Sequence, residues 1–151
     1  MFELIQSISF DVDKGVATGK AWIPREHPLF QDHFPGQPVL PGSWLIELSA
    51  QVAGPLAEEL VRSKFKTDKW AVLAMIRHAK FHRPAILPVN LDITAESGRV
   101  EPNNVTLKVS AVANGALHLT AEVVMMMMEG SAEWQEAITA RNERIRRWVT
   151  A

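Results

Sequence analysis

Residues 33–61, HFPGQPVLPGSWLIELSAQVAGPLAEELV, join a proline-rich segment to the most strongly helical stretch of the chain. From Gly42 to about Ser63, leucine and valine recur at steps of three and four residues, which places them on one face of a helix. The first half is apolar nearly all round, as expected of a helix buried on several sides. Glu47 and Gln51 interrupt this apolarity, and because they are one turn apart they share a face.

The segment before this helix is too rich in proline to form a regular helix or a central strand. Between Pro24 and Pro41 the chain has five prolines, counting both ends, and proline lacks the backbone N–H that both structures use. Phe30 and Phe34 lie in the same segment and need somewhere to pack. We therefore predict an ordered loop.

Most of the remaining chain is predicted to form strands. Phe2 to Phe10 and Val16 to Ile23 precede the loop, joined by a turn in which Gly15 is free to take a positive φ. Asn114-Gly115 is a strong hairpin signal, and Ser131 to Trp148 is predicted to be a C-terminal helix capped by Ser131. The strands predicted after the long helix are Trp70 to Phe81, Asn90 to Val100, Val105 to Ala113 and Leu117 to Met128.

Two strands, one long buried helix and a run of strands make an α+β pattern. A length of 151 residues fits one domain, 1–151, with 131–149 as a helical extension. The net charge of −1 gives no reason to expect nucleic acid or a membrane as a partner. The lack of cysteine excludes disulfides and thiolate chemistry. No apolar run approaches the ~20 residues of a membrane span, and the first residues do not resemble a signal peptide, so a cytoplasmic location is predicted.

The segment from His27 to Gln51 holds three groups suited to acid–base catalysis. His33 lies in the proline-stiffened loop, which would hold its imidazole in place. Gly42 begins the helix, where unpaired N–H groups together carry about half a positive charge, and its lack of a side chain lets a substrate oxygen approach. Glu47 follows among apolar neighbours, where burial would raise its pKa and favour a protonated carboxyl.

These groups suit the removal of a proton from the carbon next to a carbonyl. The imidazole of His33 would take the proton, and the helix end at Gly42 would stabilise the enolate-like oxygen. The carboxylic acid of Glu47 would protonate a leaving hydroxyl. The residues themselves therefore predict a base, an oxyanion donor and an acid.

The same segment resembles the signature of the 3-hydroxyacyl-[acyl-carrier-protein] dehydratases, approximately H-F-P-G-x-P-x-M-P-G-x-x-x-x-E-A-x-A-Q. The fourteen-residue step from His33 to Glu47 is that family's spacing between its catalytic pair. A second stretch, Ala79 to Pro88, resembles the family's A-x-F-R-R-P-V-x-P-G strand and turn. The positions that match the first signature in register are His33-Phe34-Pro35-Gly36, Pro38, Pro41-Gly42, Glu47 and Ala50-Gln51.

The resemblance implies a hot-dog fold, in which an antiparallel sheet wraps around the long central helix. It implies a homodimer, or a trimer of dimers, with shared active sites, in which His33 of one protomer faces Glu47 of the other beside an acyl tunnel. The N–H of Gly42 would bind the thioester carbonyl, and Gln51 would help hold Glu47 or the released water. The enzyme would need no cofactor or metal, and would convert a (3R)-3-hydroxyacyl thioester on acyl carrier protein to the trans-2-enoyl thioester.

Two other functions remain compatible with the sequence. In a hot-dog thioesterase the same helix end would polarise the carbonyl while Glu47 activates water, although His33 in the H-F-P-G setting disfavours this reaction. In a non-catalytic acyl-binding subunit the motif would persist without its geometry. Val89, which stands at a glycine position of the family, and the missing Y-P-F-L-L-V-D-R opening of the family support this last alternative.

Other polar residues have less specific interpretations. His27 and Asp32 are expected to cap the loop or lie in solvent. His78 and His82 are expected to face one side of a strand, without a third ligand for a metal. Basic residues are expected in two places: Arg77, Lys80 and Arg83, which could dock an acidic carrier protein, and Arg141, Arg144, Arg146 and Arg147 on a solvated helix face.

Overall fold

The computed structural model describes residues 3–150, which form a mixed structure of helices and strands. Phe2, predicted to begin the first strand, lies outside the described residues. Helix α1 spans Gly42–Phe65 and helix α2 spans Gln135–Thr150. The strands are β1 Ile5–Asp11, β2 Val16–Ile23, β3 Val39–Leu40, β4 Trp70–Phe81, β5 Ala85–Ile86, β6 Val89–Val100, β7 Asn104–Ala113 and β8 Ala116–Met128.

The six long strands were predicted, although β1 begins later than predicted, at Ile5, and after α1 the long strands agree with the predicted bounds to within one residue at each end. The two-residue strands β3 and β5 were not predicted. The turns follow their sequence signals. Gly15 has a φ of 67°, while Asn114 and Gly115 have φ values of 51° and 72°, the pair of positive values that a tight two-residue hairpin needs.

Six strands form one antiparallel sheet in the order β1-β2-β6-β7-β8-β4. Buried and more exposed residues alternate along β2, β6, β7 and β8, so one face of the sheet is apolar. The long helix α1 lies against this face, with Leu48, Val52 and Leu56 fully buried. A sheet wrapped around a central helix is the arrangement that the resemblance implies.

Helix α1 approaches the sheet most closely at Gly19 on β2. A Cβ at this position would lie 2.5 Å from Cγ2 of Val52, closer than two non-bonded carbon atoms can approach. The absence of a side chain at Gly19 therefore sets how deeply α1 sits in the sheet.

The C-terminal helix is attached to the domain by a largely buried ion pair, which corrects the prediction that Arg141 lies on a solvated helix face. Arg141 is not solvated, because its Nη1 lies 2.7 Å from Oε2 of Glu58, a residue of α1 that is only 8% exposed. The same carboxylate accepts a hydrogen bond from the backbone N–H of Ala71 on β4 at 2.9 Å. Ser131 makes no side-chain capping bond to the residues described, so its predicted capping role is wrong. Trp148, on the same helix, is buried.

Strand β4 forms one edge of the sheet. It pairs with β8 on one side, and among residues 3–150 no strand pairs with its other side. Val72, Met75, Ile76 and Phe81 on this strand are exposed although they are large and apolar. An unpaired edge of this kind is a template for pairing with another chain. No helix within residues 3–150 is long and apolar enough to cross a membrane.

Candidate active site

The proline-rich loop is ordered by backbone hydrogen bonds around His33, as predicted. The N–H of His33 donates to the carbonyl of Phe30 at 3.1 Å, and the carbonyl of His33 accepts from the N–H of Val39 at 2.6 Å. Phe34 and Gln37 donate to each other's carbonyls at 3.2 and 3.1 Å, closing a turn around Gly36, whose φ of 80° favours glycine. The backbone on both sides of His33 is therefore fixed.

The imidazole of His33 lies at the surface of the single chain. It is exposed and stacks on the ring of Phe34, with ring centroids 4.7 Å apart and planes 20° from parallel. Phe34 is itself 58% exposed. Both rings are thus free to contact a substrate or a second chain.

Helix α1 begins at Gly42, as predicted. The carbonyl of Pro41 accepts from the N–H groups of Trp44 at 2.9 Å and Leu45 at 3.2 Å, and the N–H groups that precede these in a helix have no acceptor within it. A Cβ at Gly42 would lie 2.8 Å from Cε1 of Phe81. Because Gly42 has no side chain, the ring of Phe81 on β4 can pack against its backbone. The sequence did not suggest this requirement for glycine.

Glu47 and Gln51 are joined on α1. Nε2 of Gln51 donates a hydrogen bond to Oε1 of Glu47 at 3.0 Å. Glu47 is exposed, whereas its neighbours Ile46 and Leu48 are buried. The predicted burial of Glu47 is therefore wrong for the single chain, because its side of α1 is not covered by the chain's own sheet.

The two sequence stretches that resemble the family signature meet in space. Strand β3, which leads into α1, pairs with β5, and the N–H of Leu87 donates to the carbonyl of Pro38 at 3.0 Å. Phe81 from the second stretch covers Gly42 from the first. The second stretch thus holds the start of α1 in place.

Among residues 3–150, His78 on β4 and His82 just after it do not form a metal site. His78 has a φ of 53° and lies at an irregularity in the pairing of β4 with β8. Nε2 of His82 lies 2.9 Å from Oγ1 of Thr120. In the described part of the chain no cluster of histidine and acidic side chains could hold a metal ion.

Two of the three basic residues near this site are engaged by their own chain. Arg77 pairs with Glu122 at 3.3 Å, and Nε of Arg83 donates to the carbonyl of Leu117 at 3.0 Å. Lys80 is exposed. The predicted carrier-docking surface therefore has one fully available ammonium group and two guanidinium groups that are already partly satisfied.

Two buried histidines lie close to the site. His27 is 7% exposed, and its Nδ1 accepts from the N–H of Leu29 at 3.3 Å, which confirms the capping alternative. His118 is also 7% exposed, and its Nδ1 lies 3.3 Å from the carbonyl oxygen of Arg83. Burial lowers the pKa of both imidazoles. His118 was not predicted from the sequence, where its only signal is its position in a strand.

A central helix wrapped by an antiparallel sheet, with His33, Gly42 and Glu47 around the start of that helix, defines a hot-dog protein with a candidate acid–base site. Residues 1–141 match the FabA-like domain family. The chain belongs to this family.

Two relatives of this chain are named as dehydratases. A 3-hydroxyacyl-[acyl-carrier-protein] dehydratase FabZ from Anaeromyxobacter sp. (strain K) is 32% identical over 83% of this chain and 79% of its own. The dehydratase of the same name from Ligilactobacillus salivarius is 37% identical over 76% of this chain and 79% of its own. These matches confirm the resemblance seen in the sequence.

Solved structures share the fold. The dehydratase heterocomplex ApeI:P from Xenorhabdus doucetiae has a TM-score of 0.66 at 17% identity and covers 90% of this chain and 89% of its own. A hypothetical thioesterase from Streptococcus pneumoniae TIGR4 has a TM-score of 0.58 at 13% identity, over 79% of this chain and 83% of its own. The hot-dog architecture is confirmed by both.

Proposed function

We propose that this protein removes water from a (3R)-3-hydroxyacyl thioester carried by acyl carrier protein, giving the trans-2-enoyl thioester. The observation that carries the proposal is the tie between His33 and the start of α1. The carbonyl of His33 accepts from the N–H of Val39 at 2.6 Å, three residues before Gly42, so the backbone that carries the imidazole is tied to the segment that leads into α1. The dehydratase names of its relatives support the same reaction.

The reaction follows from the chemistry of these groups. His33 takes the proton from C2 of the acyl chain, and the electron pair of that C–H bond forms the C2–C3 double bond. The N–H groups at the start of α1 stabilise the negative charge that develops on the thioester oxygen. Glu47 donates a proton to the C3 hydroxyl as the C–O bond breaks, and water leaves. Exchange of protons with solvent returns both groups to their starting states.

We infer that the active site is shared between two copies of the chain. Glu47 is exposed in the single chain, while an acid that must keep its proton works best away from bulk water. The open edge of β4, with its exposed Met75 and Ile76, offers a surface along which a second copy would pair. His33 and Gly42 of one protomer would then act with Glu47 of its partner, in a homodimer or a trimer of dimers.

The proposal includes no cofactor or metal, because proton transfer and charge stabilisation are both supplied by the chain. Lys80 and Arg83 lie beside Phe81, and their positive charge supports docking of an acidic carrier protein. A cytoplasmic location stays a prediction from the sequence.

The test is to incubate the purified protein with a 3-hydroxyacyl carrier-protein thioester and follow the product by mass spectrometry. We expect the intact thioester to lose one water. His33→Ala and Glu47→Gln should each lower the rate by about 10²–10⁴-fold. Glu96→Gln is the matched control for Glu47→Gln, since Glu96 is exposed on β6, and it should leave the rate unchanged.

Other products would contradict the proposal. Free acid and free carrier thiol would indicate a thioesterase, in which Glu47 activates water. An unchanged substrate across several chain lengths would indicate an acyl-binding subunit without catalysis.

A further inference from the structure

His27 is a buried imidazole six residues before His33, and the proposed reaction does not use it. Its side chain is 7% exposed, and its Nδ1 accepts from the N–H of Leu29 at 3.3 Å. This bond caps the 3₁₀ turn Pro28–Phe30, whose first N–H groups have no acceptor within the turn. The imidazole therefore occupies a position that Asn, Asp or Ser usually fills.

The backbone of this turn leads directly to His33. The carbonyl of His27 accepts from the N–H of Phe30 at 3.2 Å and from Nε2 of Gln31 at 3.0 Å. The carbonyl of Phe30 accepts in turn from the N–H of His33 at 3.1 Å. Loss of the cap at His27 would therefore loosen the turn whose last carbonyl binds the N–H of His33.

Three rings in contact connect the same turn to α1. The imidazole of His27 stacks on Phe30 with centroids 5.0 Å apart, and Phe30 is 1% exposed. Phe30 meets the indole of Trp44 edge to face at 5.6 Å, and Trp44 is the second residue after Gly42. The rings therefore hold the turn before His33 against the first turn of the helix.

We propose that His27 is a positioning residue that fixes the placement of His33 relative to the N-terminus of α1. The inference rests on the proposed function, which is what makes this placement matter for the rate. Nδ1 can accept a hydrogen bond only while it is unprotonated, and burial lowers the pKa of His27, which favours that form.

Three substitutions in the full-length protein separate the hydrogen bond from the packing. His27→Asn keeps an acceptor at the capping position and removes the ring. His27→Phe keeps a stacked ring and removes the acceptor, and His27→Ala removes both. The measurements are kcat and KM for dehydration, amide hydrogen exchange over residues 28–39, and Tm.

We expect His27→Asn to keep kcat to within about threefold. His27→Phe should lower kcat by about 10–100-fold, because displacement of a reacting group by about 1 Å is enough for such a loss, while KM changes by less than about twofold. In the Phe variant the amides of Phe30 and His33 should exchange faster although Tm is maintained. His27→Ala should lose both rate and Tm.

Wild-type kcat in His27→Phe would overturn the inference, and so would equal losses in the Asn and Phe variants, since the ring would then matter rather than the acceptor. If the wild-type protein dehydrates no thioester, the proposed function fails on its own. Amide exchange then still decides about His27: faster exchange at His33 in the Phe variant supports its positioning role, and unchanged exchange overturns it.

Discussion

Gln51 donates a hydrogen bond from its side-chain amide to the carboxyl of Glu47, with 3.0 Å between Nε2 and Oε1. The two residues are one turn apart on α1, so the bond holds the Glu47 carboxyl in one orientation. One carboxyl oxygen is engaged by the amide, and the other is left for the proton transfer that we propose. The pair is thus arranged within the chain before any substrate or second copy is present.

Replacement of Gln51 by alanine should lower kcat by about tenfold, equal to about 1.4 kcal/mol, the size of one hydrogen bond to a charged or reacting group. The free energy of unfolding should change by less than about 0.5 kcal/mol, because Gln51 is only partly buried. Steady-state kinetics and urea unfolding measure the two quantities. Gln6→Ala, an exposed glutamine on β1, is the control, and an unchanged kcat in the Gln51 variant would remove Gln51 from the site.

A shared active site predicts complementation between two inactive variants. When His33→Ala and Glu47→Gln chains are unfolded together and refolded as a mixture, about half of the dimers should contain one chain of each kind. Each mixed dimer holds one intact site, so about a quarter of wild-type activity should return. If each site belonged to one chain, the mixture would stay inactive. Either variant refolded alone is the control.

Gly42→Ala should create a clash with Phe81, since the added Cβ would lie 2.8 Å from Cε1 of that ring. We expect a loss of about 1 kcal/mol in the free energy of unfolding, at the low end for overpacking because Phe81 is half exposed and its ring can shift. In a Phe81→Ala background the same change should cost little. A double-mutant cycle by urea unfolding measures the coupling, and Gly98→Ala, where a Cβ has only an ordinary 3.5 Å contact, is the control.

Arg141→Met should destabilise the protein by about 2 kcal/mol. The substitution leaves the buried carboxylate of Glu58 without its cation, and breaking a fully buried pair costs about 3–5 kcal/mol. We expect less here because the Arg141 side chain is 23% exposed. Arg99→Met is the matched control, since Arg99 and Glu101 form an exposed pair at 3.8 Å that should contribute less than about 0.5 kcal/mol. Equal effects of the two changes in urea unfolding would contradict a structural role for Arg141.

The two buried histidines predict how stability depends on pH. Burial lowers the pKa of His27 and His118 from the ordinary value of 6.5. Below pH 6.5 the unfolded chain therefore binds protons that the folded chain does not. The stability that comes from keeping both imidazoles neutral is fully present above pH 6.5. It is lost as the pH falls from there through the lowered pKa values of the folded state. Below those values both states are protonated, and the histidines no longer change stability with pH.

The double variant His27→Asn/His118→Asn should therefore lose less stability than the wild type between about pH 7.5 and about pH 5.5. Urea unfolding at both pH values measures the difference. Equal pH dependence in the two proteins would show that these histidines are protonated equally in the folded and unfolded states. Carboxylates that titrate in the same range are common to both proteins and cancel in the comparison.

The elements that the sequence predicted best are those whose signal is local. The leucine and valine spacing of α1, and Asn114-Gly115 between β7 and β8, each specify a structure without reference to distant residues. His33 and Gly42 could be placed for the same reason, since proline content and helix start are properties of a short segment. The loop and the helix start were accordingly predicted correctly.

The predictions that failed concern side chains whose surroundings depend on parts of the chain that are distant in sequence. Arg141 was predicted to lie on a solvated helix face, but it pairs with Glu58, which is 83 residues away. Sequence spacing carries no information about such a contact. Glu47 was expected to be buried because its neighbours are apolar, whereas it is exposed in the single chain because the chain's own sheet does not cover that side of α1. His118 was missed because strand alternation does not reveal that the carbonyl of Arg83 lies beside it.

In a newly synthesised chain, the open edge of β4 is a site at which aggregation can begin. Twelve residues of strand present unpaired backbone groups on one side, and Met75 and Ile76 are half exposed along them. Such an edge attracts any other extended chain, including misfolded ones. The yield of active protein in a cell should therefore depend on synthesis rate and on chaperones, since this edge is open to aggregation until the proposed dimer covers it.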